Sequence, residues 1–350
     1  MKDGGFQKIK NNFSTFDKCY ATLADHRVIM ILAEGTTRHE KRLRPLRKGT
    51  GRLALGTLEQ YPELDLQIIP VGVNYNNSDR FRSRAMIQFG QPISAQHYYQ
   101  KYKDDVNIGI KELTQDLRLA LEKNVIQILD KGDEELVEKL FAINDHSWPE
   151  APQPSVSRNN YHLRSEMAIA EGVNKLSEVE KSNLKSAVSK YKKELEQNRV
   201  NDYAIATGKT PKVQSWLVII LGFLPFLLGY ITNGLPLKLA NWIINKKIRA
   251  IEFRASVKIT TSIVFYLIYW LTLFVIVVFS GRYSLIFLLL AMPFFGYYTL
   301  LYQEYLRKWD ALRSLNRLTK EEIEALQRAR LSLFSKFDMP TSIQLSLNEN

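Results

Sequence analysis

Two long uncharged apolar runs, residues 259–279 and 283–302, constrain this chain more than any other feature. Each is long enough to cross a hydrocarbon core of about 30 Å, which takes roughly 20 helical residues. Tyr and Trp cluster within them and near their ends, as interfacial anchors do. A buried hairpin in a soluble protein is the alternative, but two uncharged runs of this length rarely sit side by side in a soluble core. Only Ser280-Gly281-Arg282 separates them, so they read as a membrane hairpin. Lys238, Lys246, Lys247, Arg249, Arg254 and Lys258 precede it, and Arg307, Lys308, Arg313 and Arg317 follow it. Basic flanks favour the cytoplasm, which predicts both outer ends on the cytoplasmic side of a cytoplasmic membrane. An earlier apolar run, residues 216–231, is interrupted by Pro225. Basic residues on both sides of it cannot both be kept inside by one crossing. Residues 216–244 therefore read as a re-entrant or interfacial helical pair turning near Thr232-Asn233-Gly234 and Pro236, with a full span as the alternative.

The first part of the chain has a different pattern. Phe6, Ile9, Phe13, Phe16, Tyr20 and Leu23 recur every three or four residues, the stripe of an amphipathic helix. Val28-Ile29-Met30-Ile31-Leu32-Ala33 is short and apolar and stops at Glu-Gly, so it reads as a buried strand ending in a loop. Residues 47–60 read as a helix. Residues 66–73 read as a second strand broken by Pro70, and 85–89 as a third. Val106, Ile110, Leu113, Leu117 and Leu121 mark one face of a helix within 106–130. Helices alternating with strands predict an α/β layer. Pro149, Pro152 and Pro154 mark a loop. Ser177-x-x-Glu180 opens a Lys-rich helix, and Thr319-x-x-Glu322 caps a last polar helix before a tail from Thr341 that reads as disordered. The expected organisation is an α/β region over 1–130, a helical or linker region over 131–215, a membrane region over 216–310 and a polar helix and tail over 311–350.

The strand at 28–33 leads into Glu34-Gly35-Thr36-Thr37-Arg38. Seven basic residues follow within fifteen: Arg38, Lys41, Arg42, Arg44, Arg47, Lys48 and Arg52. A bare charge run is usually a solvated face. A Glu-Gly-Thr turn closing a buried strand, followed by Arg and then Lys-Gly, reads as a phosphate-handling loop with an acid at its mouth. Glu34-Gly35-Thr36-Thr37-Arg38 resembles the Glu-Gly-Thr-Ser/Thr-Arg signature of the glycerolipid acyltransferases, the lysophosphatidate acyltransferase-like family. Lys48-Gly49 matches a Lys-Gly pair that follows it there, and Ile68-Ile69-Pro70-Val71 matches a later apolar-Pro block. The resemblance covers roughly residues 1–130.

That resemblance implies a partial acyltransferase sheet with flanking helices, followed here by the helical membrane region. It implies that Glu34 contacts the glycerol or orients the loop, and that Arg38 binds the phosphate with its bidentate fork. Gly35 allows a tight turn or a close approach, and Thr36 and Thr37 donate further hydrogen bonds. Lys41, Arg42 and Lys48 are weaker candidates for phosphate or lipid contact. Attraction to an anionic bilayer, at about 1 kcal/mol per basic residue, explains them equally well. The implied reaction moves a fatty acyl group from acyl-CoA or an acyl-carrier protein to a glycerol-phosphate acceptor, 1-acyl-sn-glycerol 3-phosphate first, with glycerol 3-phosphate or dihydroxyacetone phosphate as alternatives. No cofactor is implied.

The family's catalytic His-x-x-x-x-Asp is missing. The residues five positions after His26, His39, His97, His146 and His162 are Ile31, Arg44, Tyr102, Ala151 and Met167. No catalytic residue is therefore assigned, and the chain reads as starting just after that block. A catalytically dead lipid-binding protein on the same scaffold stays open.

A net charge of +12 favours an anionic partner. The membrane hairpin argues for lipid rather than nucleic acid. Cys19 is alone, which fits a reducing compartment. The polar N-terminus shows no signal-peptide pattern. His and Cys are too sparse and scattered for a zinc site, and Gly49-Thr50-Gly51 does not make a P-loop.

Overall fold

The computed structural model describes residues 15–36, 38, 40–77, 83–147, 156, 158–211, 215–247 and 251–340. The chain forms two compact units: residues 1–75 with 85–129, and residues 76–84 with 130–350.

In the first unit, α1 is helical over residues 15–24. Then come α2 (Gly49–Gln60), β1 (Gln67–Ile68), β2 (Val71–Tyr75), β3 (Ala85–Phe89), β4 (Ile93–Ser94), α3 (Gln96–Asp104) and α4 (Val106–Glu122). β1 pairs antiparallel with β4 and β2 with β3, giving two two-stranded ladders. Pro70 has no N–H to give a ladder, so the strand expected over 66–73 divides around it. The core is largely helical: Leu55 and Leu58 of α2, Tyr98 of α3, and Ile110 and Leu113 of α4 pack with Leu66 and Ala95. The α4 stripe expected from its spacing is buried at Ile110, Leu113, Leu117 and Leu121, while Val106 is exposed. Asp105 caps the helix through Asn107 and Ile108 N–H.

One expected strand does not form. Residues 28–32 join no ladder, and Val28, Met30 and Leu32 are 94%, 87% and 74% exposed. An apolar run favours burial, but a strand exists only where a neighbouring edge supplies N–H and C=O partners. Neither described ladder reaches this segment.

The second unit begins with α5 (Glu134–Asp145), α6 (Tyr161–Lys175), α7 (Glu178–Gln197) and α8 (Asp202–Thr207). It continues with α9 (Ser215–Lys247), α10 (Ile251–Phe279), α11 (Leu285–Ser314) and α12 (Lys320–Ser332). Both expected capping boxes form, Ser177 with Glu180 and Thr319 with Glu322. The Pro149–Pro154 loop and the tail from Thr341 lie outside the described residues. Among the described residues, three helical stretches are long and apolar enough to cross a membrane: Ser215–Ile244, Arg254–Phe279 and Leu285–Arg317. The chain is a membrane protein. α10 and α11 join through Ser280-Gly281-Arg282 as expected, with Gly281 in the left-handed region at φ +66°.

The turn expected near Thr232–Pro236 is absent, because α9 is one helix through Pro225 and Pro236. Prolines occur within apolar helices packed against neighbours, and α9 packs along α11. Here Tyr302 Oη of α11 donates to Ile219 O (2.6 Å) and Thr299 Oγ1 to Phe226 O (3.2 Å). Asn233 Nδ2 donates to Gly229 O (3.0 Å) and to Met292 O (3.1 Å) rather than opening a turn. These pairs run in opposite chain directions, so α9 and α11 are antiparallel. Close approach is built in at Gly229, where a Cβ would overlap the Phe295 carbonyl, and at Gly222, where it would meet Tyr302.

Candidate phosphate-binding loop

The loop after residue 33 is held by backbone first. Gly35 N–H donates to Leu32 O (3.0 Å), and Arg47 N–H donates to Ala33 O (2.8 Å), closing residues 33–47 into an excursion. Gly35 turns the chain at φ +68°. That left-handed conformation favours glycine, and a Cβ there would also sit a tight 3.1 Å from Arg47 Cγ. The far side of the excursion is tied to the segment after α4. Ile128 N–H donates to Lys41 O (2.7 Å) and Leu43 N–H to Gln127 Oε1 (3.1 Å). That segment is itself fixed to the β2–β3 ladder. Asn74 Nδ2 donates to Asn124 O (3.0 Å), and Asn74 Oδ1 accepts from Ile126 N–H (2.9 Å). A polar thread thus runs from β2 through Asn124 to the loop.

Side chains complete it. Arg44 Nη1 donates to Thr36 Oγ1 (3.1 Å). Glu34 is half-buried; burial pushes its carboxyl above the ordinary range, against the opposing Arg44 charge and a hydrogen bond from the Arg44 N–H. Arg42 Nε donates to Glu40 Oε2 (2.9 Å), which holds the Glu40 carboxyl below its ordinary value. Arg38 is exposed. Lys41 is half-buried and held through its carbonyl. Lys48 is exposed and immediately precedes α2, whose first turn has no side-chain cap. Just inside that turn, Thr50 Oγ1 is buried with no hydrogen-bond partner among the described residues. Thr37 and His39 lie outside the described residues.

Glu34, Gly35, Thr36 and Arg38 therefore sit on one braced turn, with Arg38 presented to solvent and Arg44 used internally. Sequence reasoning counted Arg44 and Arg47 in the charge run without seeing that they brace Thr36 and Gly35. It also missed Gln127 and Ile128, which no local pattern marks. Chemically, the turn offers a guanidinium fork, hydroxyls and a carboxyl within one excursion, which suits a phosphate-bearing polyol. Among the described residues, no group of three or more His, Cys, Asp or Glu could hold a metal ion.

The chain is similar over part of its length to known acyltransferases. The chain is 36% identical over 78 residues to glycerol-3-phosphate O-acyltransferase 1 of Saccharomyces cerevisiae, covering 22% of this chain and 10% of that protein. It is 41% identical over 76 residues to an uncharacterized acyltransferase of Schizosaccharomyces pombe, 21% of this chain and 11% of the relative. It is 28% identical over 112 residues to glycerol-3-phosphate O-acyltransferase 2 of S. cerevisiae, 32% of this chain and 15% of that protein. Over the matched stretches the chain is similar to these acyltransferases. It spans between about a tenth and a seventh of the length of these relatives. No family model and no solved structure matches it.

Among the described residues, two His–Asp contacts lie away from this loop. His146 Nδ1 meets Asp202 Oδ2 at 2.7 Å, and His162 Nδ1 stands 3.9 Å from Asp145 Oδ1. Both pairs belong to the second unit. Asp202 Oδ1 also accepts from Tyr191 Oη (2.5 Å) and Arg330 Nε (3.1 Å), which marks a clasp between helices.

Proposed function

We propose that the chain serves a membrane-bound acyltransferase of glycerolipid synthesis, and that its loop at Glu34–Arg38 holds the phosphate of a glycerol-phosphate acceptor. The carrying observation is the braced turn that presents Arg38, in a chain similar to two glycerol-3-phosphate O-acyltransferases. Arg38 binds the acceptor phosphate through two N–H groups, which a lysine cannot reproduce. Thr36, oriented by Arg44, and Thr37 supply hydroxyls. Glu34, partly buried, accepts from a glycerol hydroxyl or holds the turn. Lys41, Arg42 and Lys48 add positive potential toward the phosphate or a lipid surface. The acyl donor is acyl-CoA or an acyl-carrier protein. Among acceptors, the sequence resemblance favours 1-acyl-sn-glycerol 3-phosphate and the likeness to glycerol-3-phosphate O-acyltransferases favours glycerol 3-phosphate. Both carry the phosphate monoester that Arg38 reads. We place the working side at the cytoplasmic face, on the strength of the basic flanks.

The test is acceptor binding by the full chain in lipid nanodiscs, with radiolabelled glycerol 3-phosphate and lysophosphatidate in separate arms. Arg38→Ala is expected to weaken binding of the preferred acceptor about tenfold or more, as loss of a charge-assisted bond costs roughly 1.5–3 kcal/mol. Arg38→Lys is expected to recover part of it, while Lys41→Ala leaves it within about threefold. Unchanged binding in Arg38→Ala would overturn the assignment. Transfer by the 350-residue chain alone is expected to be weak or nil, since no His-x-x-x-x-Asp is present. Robust turnover would show that the base lies within this chain.

A further inference from the structure

One end of the α9–α11 pair carries an aromatic and cationic cluster that the proposed acyl transfer does not use. Trp216, at the start of α9, meets Trp309 of α11 edge-on at 4.8 Å between ring centroids. The Arg313 guanidinium lies over both rings, 5.7 Å from Trp216 and 5.3 Å from Trp309. Trp216 is 48% exposed and Arg313 is exposed. Among the described residues, Arg313 has no carboxylate partner, so its charge stays open to an outside anion.

The depth of this cluster follows from the sequence around it. From Trp216 inward α9 carries no charge until Lys238, a rise of about 33 Å at about 1.5 Å per residue. That matches the apolar thickness of a bilayer. In α11 no charge occurs from Leu285 to Gln303. From Glu304 through the cluster to Arg317 the chain is polar, and Arg307, Lys308, Arg313 and Arg317 outnumber the acids Glu304 and Asp310. The helical bundle begins at this same end, where Gln327 Nε2 of α12 donates to Ile205 O of α8 (3.1 Å). The indoles therefore fall where the apolar span ends and the water-facing bundle starts, the level at which Trp rings settle in bilayers.

We propose that Trp216, Trp309 and Arg313 form a binding site for the headgroup of an anionic phospholipid. The two rings rest at the boundary between headgroups and acyl chains. The guanidinium, held over them, takes the lipid phosphate. The site fixes the depth of the bundle α5–α8 and α12 against the membrane surface. It stands independently of the acceptor loop, which lies in the other compact unit.

Two measurements on the full chain test it. In vesicles of phosphatidylcholine with or without an equal part of phosphatidylglycerol, spin-labelled lipids report which headgroup prefers the protein surface. The wild type is expected to prefer spin-labelled phosphatidylglycerol over phosphatidylcholine about threefold, Arg313→Gln to lose the preference and Arg313→Lys to keep part of it. A preference unaltered in Arg313→Gln, or none in the wild type, would overturn the proposal. In a Trp148→Phe/Trp242→Phe/Trp270→Phe background, the remaining pair is expected to be quenched most by a nitroxide near the headgroup. Strongest quenching by aqueous iodide, or by a nitroxide at mid-chain, would place the rings elsewhere and refute the site. Should that triple variant fold poorly, the Arg313 comparison, made on all native tryptophans, decides alone.

Discussion

The helical bundle and the α9–α11 seam of the second unit both bury polar side chains, and they do it in opposite ways. At the centre of the helical bundle, Asp202 of α8 accepts from Tyr191 of α7, Arg330 of α12 and His146 at the end of α5. Arg330 also donates to Ile143 O (2.7 Å) and Ser147 Oγ (2.8 Å). Between α9 and α11, the polar groups are Asn233, Thr299 and Tyr302, and each bonds to backbone carbonyls. The clasp concentrates full charges and pairs them with one another. Burial pushes the Asp202 carboxyl up, but His146, Arg330 and Tyr191 together outweigh it and hold the group ionised below its ordinary range. The membrane seam carries no charge and relies on glycines that let two backbones touch. In water, apolar burial drives helices together and a charged clasp chooses the arrangement. In lipid that drive is absent, so packing and neutral hydrogen bonds hold the pair.

The largest effect is expected from breaking the clasp. Asp202→Ala leaves Arg330, 2% exposed, without its counter-charge. Removing one partner of a buried ion pair costs roughly 3–5 kcal/mol. Denaturant titration should show the bundle unfolding at lower denaturant, and Asp202→Asn should recover part of the loss. A change under about 1 kcal/mol would mean the clasp is solvated and the contrast with the seam false.

In the seam, Gly229→Leu is expected to be the most damaging single change, because any Cβ there overlaps the Phe295 backbone carbonyl. Overpacking of this kind costs roughly 1–3 kcal/mol, read as earlier loss of helix on titrating micelles with a denaturing detergent. Gly234→Leu is the control, since nothing lies within 4 Å of a Cβ there. Equal losses in the two variants would remove close approach as the cause.

These contrasts also explain what could be read from the chain. The α4 stripe, the capping boxes at Ser177 and Thr319 and the hairpin at Gly281 were legible because each depends on residues a few positions apart. The Glu34–Arg38 turn was legible for the same reason. Residues 28–33 were not, because a strand is made by a partner edge, and apolar composition cannot supply one. Pro225 and Pro236 suggested a broken α9, and the side-chain-to-carbonyl bonds that join it to α11 link positions some sixty to eighty apart in sequence. The Asp202 clasp joins positions 146, 191, 202 and 330, and no spacing rule connects them.

A pH test sharpens the charged side of the comparison. Burial chiefly, with the nearby Arg84 charge, lowers the His162 pKa from 6.5 to about 4, while Asp145 pulls the other way. The unfolded chain then takes up a proton near pH 6.5 that the folded chain refuses until about 4. Stability is therefore expected to fall as pH drops through that window and to change no further, from this group, below it. Discounted for partial exposure, the loss is about 1–2 kcal/mol. His162→Gln should flatten this part of the stability–pH curve, and an unaltered slope would refute the assignment.

The smallest effect is expected at Asn233, although it is buried and makes two carbonyl contacts. Asn233→Ala removes the donor to Met292 O, yet both that carbonyl and Gly229 O sit within helices where backbone bonding continues. Hydrogen bonds between membrane helices average about 0.6 kcal/mol and reach roughly 1.7, because the separated helices find other partners. The amide also packs on Gly296, where a Cβ would come 3.0 Å from Asn233 Oδ1, so truncation opens space as well. Asn233→Leu separates the two contributions, since it keeps volume and removes the hydrogen bonds. A loss of about 1 kcal/mol or less in Asn233→Leu, by the same detergent titration, is the expected outcome. A loss as large as that of Asp202→Ala would mean that a neutral amide in lipid is as demanding as a buried charge in the bundle, and the distinction between the two regions would fall.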